Sequence, residues 1–317
     1  MKNSYSNIFP ISKKTLNKAK GLLTKESLVA LPTETVYGLA GNAYSAAAVK
    51  KIFNLKGRPT SNPLIIHYYN IEKALDDIVI NNNFKKLYKK FCPGPITFIL
   101  KKKKNSKIQA SANAKLKTVA VRFPKHKVVR TILKKLKFPL AMPSANISSC
   151  VSPVSAFDVF DEFNNNINLI VNGGLSKIGI ESTVIDLTNK PKILRPGIID
   201  IVKIEKILQT RLIKRPYSSK IKSPGMIKKH YSPGIPVLIN QTKYDNKSAY
   251  IYLGKKYRNN KNFFSLSANS NLDEAASRLY KTFRQIKKQG FKKIQIAKIP
   301  SKGPGIAIND RIKKAAN

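Results

Sequence analysis

The sequence predicts an α/β protein in two units, on three observations. Apolar runs of four or five residues alternate with amphipathic stretches at helical spacing through residue 210, the rhythm of strands and helices packed in layers. Periodicity then stops between Arg211 and Gly234, where RLIKRPYSSKIKSPGMIKKHYSPG is dominated by Lys, Ser, Pro and Gly. Beyond it the same rhythm resumes. With 317 residues and 42% apolar content the chain can bury a large core, and two domains are expected. Residues 8–210 read as the first, 211–235 as a linker, and 236–317 as a smaller second α/β domain.

In the first unit the apolar runs predict strands at Leu28–Leu31, Leu64–His67, Thr97–Leu100, Val119–Arg122, Asn168–Val171 and Thr183–Leu187. Helices are predicted at Ser12–Leu23, Ala46–Leu55, Phe84–Lys90, Lys127–Leu136 and Val202–Gln209. Within Lys127–Leu136 the residues Val128, Val129, Ile132, Leu133 and Leu136 recur at helical spacing, the stripe of a core-facing helix. The second unit reads as strands Val237–Ile239 and Ala249–Leu253, a helix at Leu272–Lys288, a strand at Ile294–Ala297 and a terminal helix. Leu272, Ala275, Ala276, Leu279, Phe283 and Ile286 give the long helix one apolar face.

No apolar run approaches the ~18 residues of a membrane span, and the N-terminus MKNSYSNIFPISKK has no continuous apolar stretch of signal-peptide length. A soluble, cytoplasmic protein is expected. Cys92 and Cys150 offer neither metal spacing nor a disulfide framework, in keeping with a reducing compartment. The net charge of +44 admits two readings. One is a surface for phosphate backbones; the other is a coding bias that places Lys wherever a polar residue is tolerated, since the excess is spread evenly and accompanied by Asn and Ile.

No GxxxxGK[ST] loop, GxGxxG, HExxH, CxxC or GxSxG occurs, and His67, His126 and His230 are too scattered for a metal triad. The chemistry must lie in loops that follow buried strands. LPTETVYGLAGNA (31–43) runs from a strand into hydroxyls, a carboxylate and Gly. KGRPTSNPLIIH (56–67) sets Lys56, Arg58 and Asn62 ahead of a strand ending in His67. Two cations beside Asn62 can neutralise and orient a triphosphate, Arg as a planar fork and Lys as a point charge; the bland alternative is a solvated surface pair. In TVAVRFP (118–124) Arg122 ends an apolar strand, where it needs an anion: a ligand carboxylate or a structural Asp or Glu. PLAMPSANISSCVSP (139–153) supplies hydroxyls and backbone N–H groups able to cradle phosphate, or forms an ordinary Ser/Asn turn. Glu181–Ser182–Thr183 opens another strand, and Arg195–Pro196–Gly197 follows the next. Glu34 and Glu181 can each hold a magnesium ion or hydrogen-bond a loop.

Together LPTETVYGL, KGRPTSNPLIIH, CPGPITFIL, TVAVRFP, PSANISS, ESTVID and LRPG strongly resemble the YrdC-like family of threonylcarbamoyl-AMP synthases, densely over residues 28–234. KKHYSPG and the region 236–317 resemble its longer form. The resemblance implies a twisted mixed sheet with a concave central cavity, followed by a Rossmann-like α/β domain. It implies that L-threonine, bicarbonate and ATP give threonylcarbamoyl-AMP and pyrophosphate, a nucleotidyl transfer with magnesium accompanying ATP. A partner transferase would then modify an adenosine beside the tRNA anticodon. Carried over by motif, Thr35, His67, Arg122, the Met142 backbone and Ser182 would hold threonine. Arg58, Asn62, Thr118, Ser144, Ser152, Arg195 and Tyr231 would hold ATP. Lys56 and Arg58 would act at the phosphates, and the segment containing Tyr231 would serve as a lid. The sequence departs from the family pattern at Met142, Ser149, Cys150, Val151 and Ser232.

Two rivals come from other classes. A non-catalytic RNA-binding protein would use the same concave basic scaffold, with weak, salt-dependent affinity. A carbamoyl-transfer module of hydrogenase maturation proteins would bring zinc-finger and acylphosphatase-like regions, and this chain has no cysteine pairs for such a finger.

Overall fold

The computed structural model describes residues 5–213, 230–256 and 261–316. The chain runs β1 (Ile8–Pro10), α1 (Lys13–Thr24), β2 (Val29–Leu31), β3 (Gly38–Asn42), α2 (Ala46–Lys56), β4 (Ile65–His67), α3 (Asn82–Phe91) and β5 (Ile96–Lys101). It continues with β6 (Thr118–Arg122), α4 (Lys127–Lys135), β7 (Leu140–Ala141), α5 (Ala156–Phe163), β8 (Ile170–Asn172), β9 (Thr183–Asp186), β10 (Lys192–Arg195) and α6 (Ile201–Leu208). The second unit follows as β11 (Val237–Leu238), β12 (Ala249–Tyr252), β13 (Phe263–Ser265), α7 (Leu272–Lys288), β14 (Ile294–Ile296) and α8 (Pro304–Ala315).

Most helices start where a side-chain oxygen is available for the unpaired N–H groups of a first turn. Ser12, Ser45, Asn81 and Asn271 accept from the backbone N–H three residues on, and Ser155 and Asp158 form a reciprocal capping box at α5. Helix α2 stops at Gly57, whose φ of 56° is the left-handed closure that glycine takes without strain.

Ten strands form one mixed sheet, in the order β1-β8-β2-β3-β7-β4-β6-β5-β9-β10. Its centre is set by β4 and β6 in parallel, with Ile65 opposite Ala120 and His67 opposite Arg122, and by β5 antiparallel to β6, with Thr97 opposite Arg122. Side chains alternate faces along a strand. Ile66, Phe98, Val121 and Ile185 therefore point together into the main core, against Phe53, Phe84 and Phe123. The other face carries a small patch of Ile65, Ile99, Ala120 and Val184. At the strand ends that face gives way to His67, Arg122 and Thr97. The second unit is a four-stranded all-parallel sheet, β11-β14-β12-β13. Its core of Leu279, Phe283, Ile286 and Ile308 is continuous with Val36, Val151, Val154 and Ile180 of the first unit.

The predicted strands and helices are present, with ends displaced by up to two residues; Val202–Gln209, for example, is Ile201–Leu208. Sequence reading overlooked β1, β3, β7, α5 and β13. Strand β3 is GLAGN, too glycine-rich for a β signature, and β7 has two residues. Of the expected linker, residues 214–229 lie outside the described residues. Its flanks are packed rather than solvated: Leu212, His230 and Tyr231 are all buried. No helix among the described residues is long and apolar enough to cross a membrane.

Candidate active site

The polar face of the sheet opens into a cleft of about 510 Å³, counting its mouth. Ile65, His67 and Arg122 form its floor; the loop Thr33–Gly38 and the segment Met142–Ser144 line its sides, with Arg58, Glu181, Arg195, His230 and Tyr231 around the rest. The strand register explains the floor. Parallel pairing of β4 and β6 ends both strands on polar residues of the same face, His67 and Arg122, side by side.

Arg122 donates from Nη2 to Glu34 Oε1 at 2.7 Å, while Glu34 Oε2 accepts the backbone N–H groups of Lys125 and His126. Burial pushes the Glu34 carboxyl up, but the Arg122 charge and these hydrogen bonds hold it below the usual carboxylate range. The structural partner foreseen for Arg122 is thus Glu34. Arg122 Nε remains buried with no hydrogen-bond partner, a donor left for a ligand oxygen. His67 Nδ1 lies 3.1 Å from the Ile65 carbonyl, and burial followed by the Arg122 charge hold its pKa well below the ordinary value, so it is neutral at pH 7.

Across the cleft, Arg58 is 7% exposed and donates only to the Asn62 and Pro63 carbonyls, at 3.0 and 2.9 Å. No ion pair joins it to a carboxylate of the described residues. Burial and the neighbouring Arg195 hold its guanidinium down to about 9. Arg195 donates to the Ser182 carbonyl and hydroxyl, both at 3.1 Å. Two buried guanidinia that repel each other, one with only neutral partners, make a pocket whose missing element is negative charge.

Of the residues singled out from sequence, Arg58, His67, Arg122, Met142, Ser144, Arg195 and Tyr231 line this cleft. Others stand behind it. The Thr35 hydroxyl bonds that of Thr33, which takes the wall position instead. The Ser182 hydroxyl is shared with Thr97 and Arg195, and the Ser152 hydroxyl donates to Glu181 at 2.6 Å. Thr118 lies on the same face as Arg122, four residues back along β6, about 13 Å away. Asn62 is 1% exposed with neither amide atom bonded. Met142 has its N–H committed to the Ile65 carbonyl, and its side chain packs on Gly38.

Lys56 corrects the sequence reading most plainly. Its head does not project from a turn: the side chain is buried, and Nζ donates to the Ser144 and Asn146 carbonyls, the former at 2.7 Å. Burial and the Arg58 charge lower its pKa well below a normal lysine's. Here it braces the 144–148 loop, and Ser148 N–H returns a bond to the Lys56 carbonyl.

The second unit supplies what sequence reasoning missed. Glu181 accepts from Ser152, from Tyr280 of α7 at 3.0 and 3.1 Å, and from Arg311 Nε of α8 at 2.9 Å. Both the Glu181 and the Glu34 carboxylates are thus engaged by hydrogen-bond donors of the protein. Tyr231 sits at φ 64°, a left-handed conformation unusual for an aromatic residue. It is held there by His230 N–H on the Lys314 carbonyl and Ser232 N–H on the Ser149 carbonyl. Ser149 is itself left-handed at φ 69°. No spacing rule links residue 181 to residue 311; the signal in the sequence was Arg311 falling on the helical stripe of Ala307, Ile308, Ile312 and Ala315.

A basic cleft over the polar face of a mixed sheet, with a parallel-sheet unit closing its rim, defines the long form of the YrdC-like α/β class. The Sua5–YciO–YrdC family model, described as telomere recombination, matches residues 21–197, and the model for the threonylcarbamoyl-AMP synthase C-terminal domain matches 199–317. The chain belongs to this family. The threonylcarbamoyl-AMP synthase of Pyrococcus abyssi is 46% identical over 182 residues, 56% of this chain and 53% of that protein. The Bacillus subtilis enzyme of the same name is 42% identical over 183 residues, covering 57% and 52%. These alignments span about half the length of either relative. The crystal structure of P. abyssi Sua5 complexed with L-threonine superposes with a TM-score of 0.89 at 34% identity, covering 98% of this chain and 97% of that one.

Proposed function

We propose that this protein is a threonylcarbamoyl-AMP synthase, a nucleotidyltransferase joining L-threonine, bicarbonate and ATP and releasing pyrophosphate. The observation that carries the reading is Arg58: a buried guanidinium with only carbonyl partners, beside Arg195 in a cleft whose floor holds Arg122, which is paired with Glu34 but keeps a buried, unpartnered Nε. An uncompensated guanidinium charge suits a polyphosphate, and the spare Arg122 N–H suits an amino-acid carboxylate.

In this reading Arg122 and neutral His67 orient threonine, with Thr33 on the cleft wall and Thr35 and Ser182 supporting from behind. The neutral amine and bicarbonate form a carbamate with loss of water, and a carbamate oxygen attacks the α-phosphorus as pyrophosphate leaves. Nucleophile and electrophile are both anionic, so the barrier falls through positioning and charge neutralisation by Arg58 and Arg195 rather than through a dedicated base. Ser144 and Tyr231, which line the cleft, complete the nucleotide contacts, Ser152 supports them from behind through Glu181, and Lys56 holds the Ser144 loop in shape. The described residues contain no group of three His, Cys, Asp or Glu placed for a metal. A magnesium ion would therefore be held by the nucleotide's own phosphates, where it would neutralise the charge of the departing pyrophosphate. The product, a mixed carbamic–phosphoric anhydride, would be consumed by a transferase acting on tRNA.

The test is incubation of the purified protein with ATP, bicarbonate and labelled threonine. Pyrophosphate release that requires both co-substrates supports the synthase. Salt-dependent RNA binding without turnover would support the binding protein instead.

A further inference from the structure

We propose that Arg284, on α7 of the second unit, is a positioning residue that fixes the loop 144–151, and with it the nucleotide side of the cleft, by acting through Glu162 of α5. This deepens the synthase reading and rests on it. The loop leaves the cleft wall at Ser144 and belongs to no helix or strand, with Ser149 left-handed at φ 69°. Its shape therefore depends on side chains that satisfy its backbone. Within the first unit, Lys56 Nζ takes the Ser144 and Asn146 carbonyls, and the Asn146 amide donates to the Ile147 and Cys150 carbonyls at 2.7 and 2.9 Å. The outer side of the loop is held from α5 and α7. Ile147 N–H donates to Glu162 Oε2 at 2.9 Å, while Arg284 Nη2 donates to Glu162 Oε1 at 3.0 Å and to the Val151 carbonyl. One carboxylate and one guanidinium thus tie residue 147 to residue 151 across the joint between the units.

An exposed ion pair contributes little, because water screens it. This one is nearly enclosed: the Arg284 and Glu162 side chains are 18% and 13% exposed, and Arg284 Nε is buried with no hydrogen-bond partner among the described residues. Arg284 forgoes hydration at Nε while Nη2 meets two acceptors, so the contact is defined by geometry more than by charge. Without the cation, the Glu162 carboxylate turns toward water and releases the Ile147 N–H. The loosened loop meets the cleft at two places. Ser144 lines it, and the Ser149 carbonyl accepts from Ser232 N–H at 2.8 Å, next to Tyr231. The threonine end shares none of these bonds, since Arg122 is held by Glu34 and His67 by the pairing of β4 with β6. The consequence is selective: loosening the loop weakens nucleotide binding and spares threonine.

The experiment measures calorimetric Kd for ATP and for threonine, each alone, in full-length wild type, Arg284→Met, Glu162→Gln, the double variant and Arg278→Met. Arg284→Met should weaken ATP binding about tenfold, with threonine Kd changed less than about threefold. Glu162→Gln supplies the sign. Removing a negative charge tightens ATP binding if only the field matters, whereas losing the bridge weakens it, here by at least about threefold. The double variant should bind ATP within about twofold of Arg284→Met, because the two side chains act as one unit. Arg278→Met removes an equal charge from the exposed Arg278–Glu274 pair of the same helix and should bind ATP as wild type does. Unchanged ATP affinity in Arg284→Met, unchanged or tighter binding in Glu162→Gln, or losses that multiply in the double variant overturn the proposal. So does a loss shared equally by threonine, or a comparable loss in Arg278→Met. If Arg284→Met does not fold, Glu162→Gln decides alone. Failure of the wild type to release pyrophosphate defeats the synthase reading only, since the Kd series still tests Arg284.

Discussion

Arg58 and Arg122 look alike in composition and differ in what surrounds them. Arg122 already holds Glu34 and offers one buried unpartnered N–H, whereas Arg58 meets carbonyls alone. Replacing Arg58 with Ala should therefore lower kcat/KM for ATP by about tenfold or more and leave threonine binding nearly unchanged. Arg122→Ala should do the reverse and also destabilise the fold, by stranding Glu34. Small, equal effects of both on both substrates would show that the cleft is not the site. The buried histidines give a second residue-scale consequence. Burial holds His230 down to about 3 and His67 well below 6.5, so between those values and 6.5 the unfolded chain binds protons that the native chain does not. Stability is fully present above pH 6.5 and declines as pH falls below it, with a slope of up to about 1.4 kcal/mol per pH unit for each histidine. Urea midpoints should fall from pH 7 to pH 5, and more shallowly in His230→Asn; identical pH profiles for the two proteins would refute the assignment.

Among the elements, the junction of α7 with the loop before β9 is a close one. Gly179 sits at φ 75°, and a Cβ there would lie 2.5 Å from the Ser277 backbone. Gly174, at φ 76°, has open space instead. Gly174→Ala should cost only the left-handed penalty, about 1 kcal/mol. Gly179→Ala should cost several-fold more and raise KM for ATP, because pushing α7 away draws Tyr280 from Glu181. Equal melting temperatures for the two variants would show that the helix does not bear on this loop. The sequence made the conventional elements readable and left the contact-defined ones hidden. Apolar runs located β4, β5, β6 and β9, whose ends carry His67, Arg122 and Ser182. Strand β3 exists because Gly38 and Gly41 allow close approach by Met142 and by Leu28 and Ile52, a tertiary cause with no local signature. Helix α5 had one, the Ser155–Asp158 capping box, which went unread beside the neighbouring polar loop. The loop motifs marked the cleft, but whether a hydroxyl lines it or supports it, as with Thr33 and Thr35, depends on hydrogen bonds that no spacing encodes.

At the scale of the whole molecule the net charge located nothing. Arg58, Arg122 and Arg195 are three of the 60 basic residues, and they matter because they are buried together. The joint between the units carries more information. Val36, Val151, Val154 and Ile180 belong to the core of the second unit although they stand on loops of the first, and Val36 also lines the cleft. A chain ending at residue 210 would expose this apolar rim and lose Tyr231, Tyr280 and Arg311 together. Exposed contiguous apolar surface promotes association, and Glu181 would keep Ser152 but lose its charge partner on the second unit. The truncated protein should therefore be oligomeric by light scattering and bind ATP at least about tenfold more weakly, a loss that Glu181→Gln would reduce but not abolish, since Tyr231 is gone as well. A monomeric truncation with full ATP affinity would mean that the first unit is complete by itself and that the second neither shields its rim nor balances its charge.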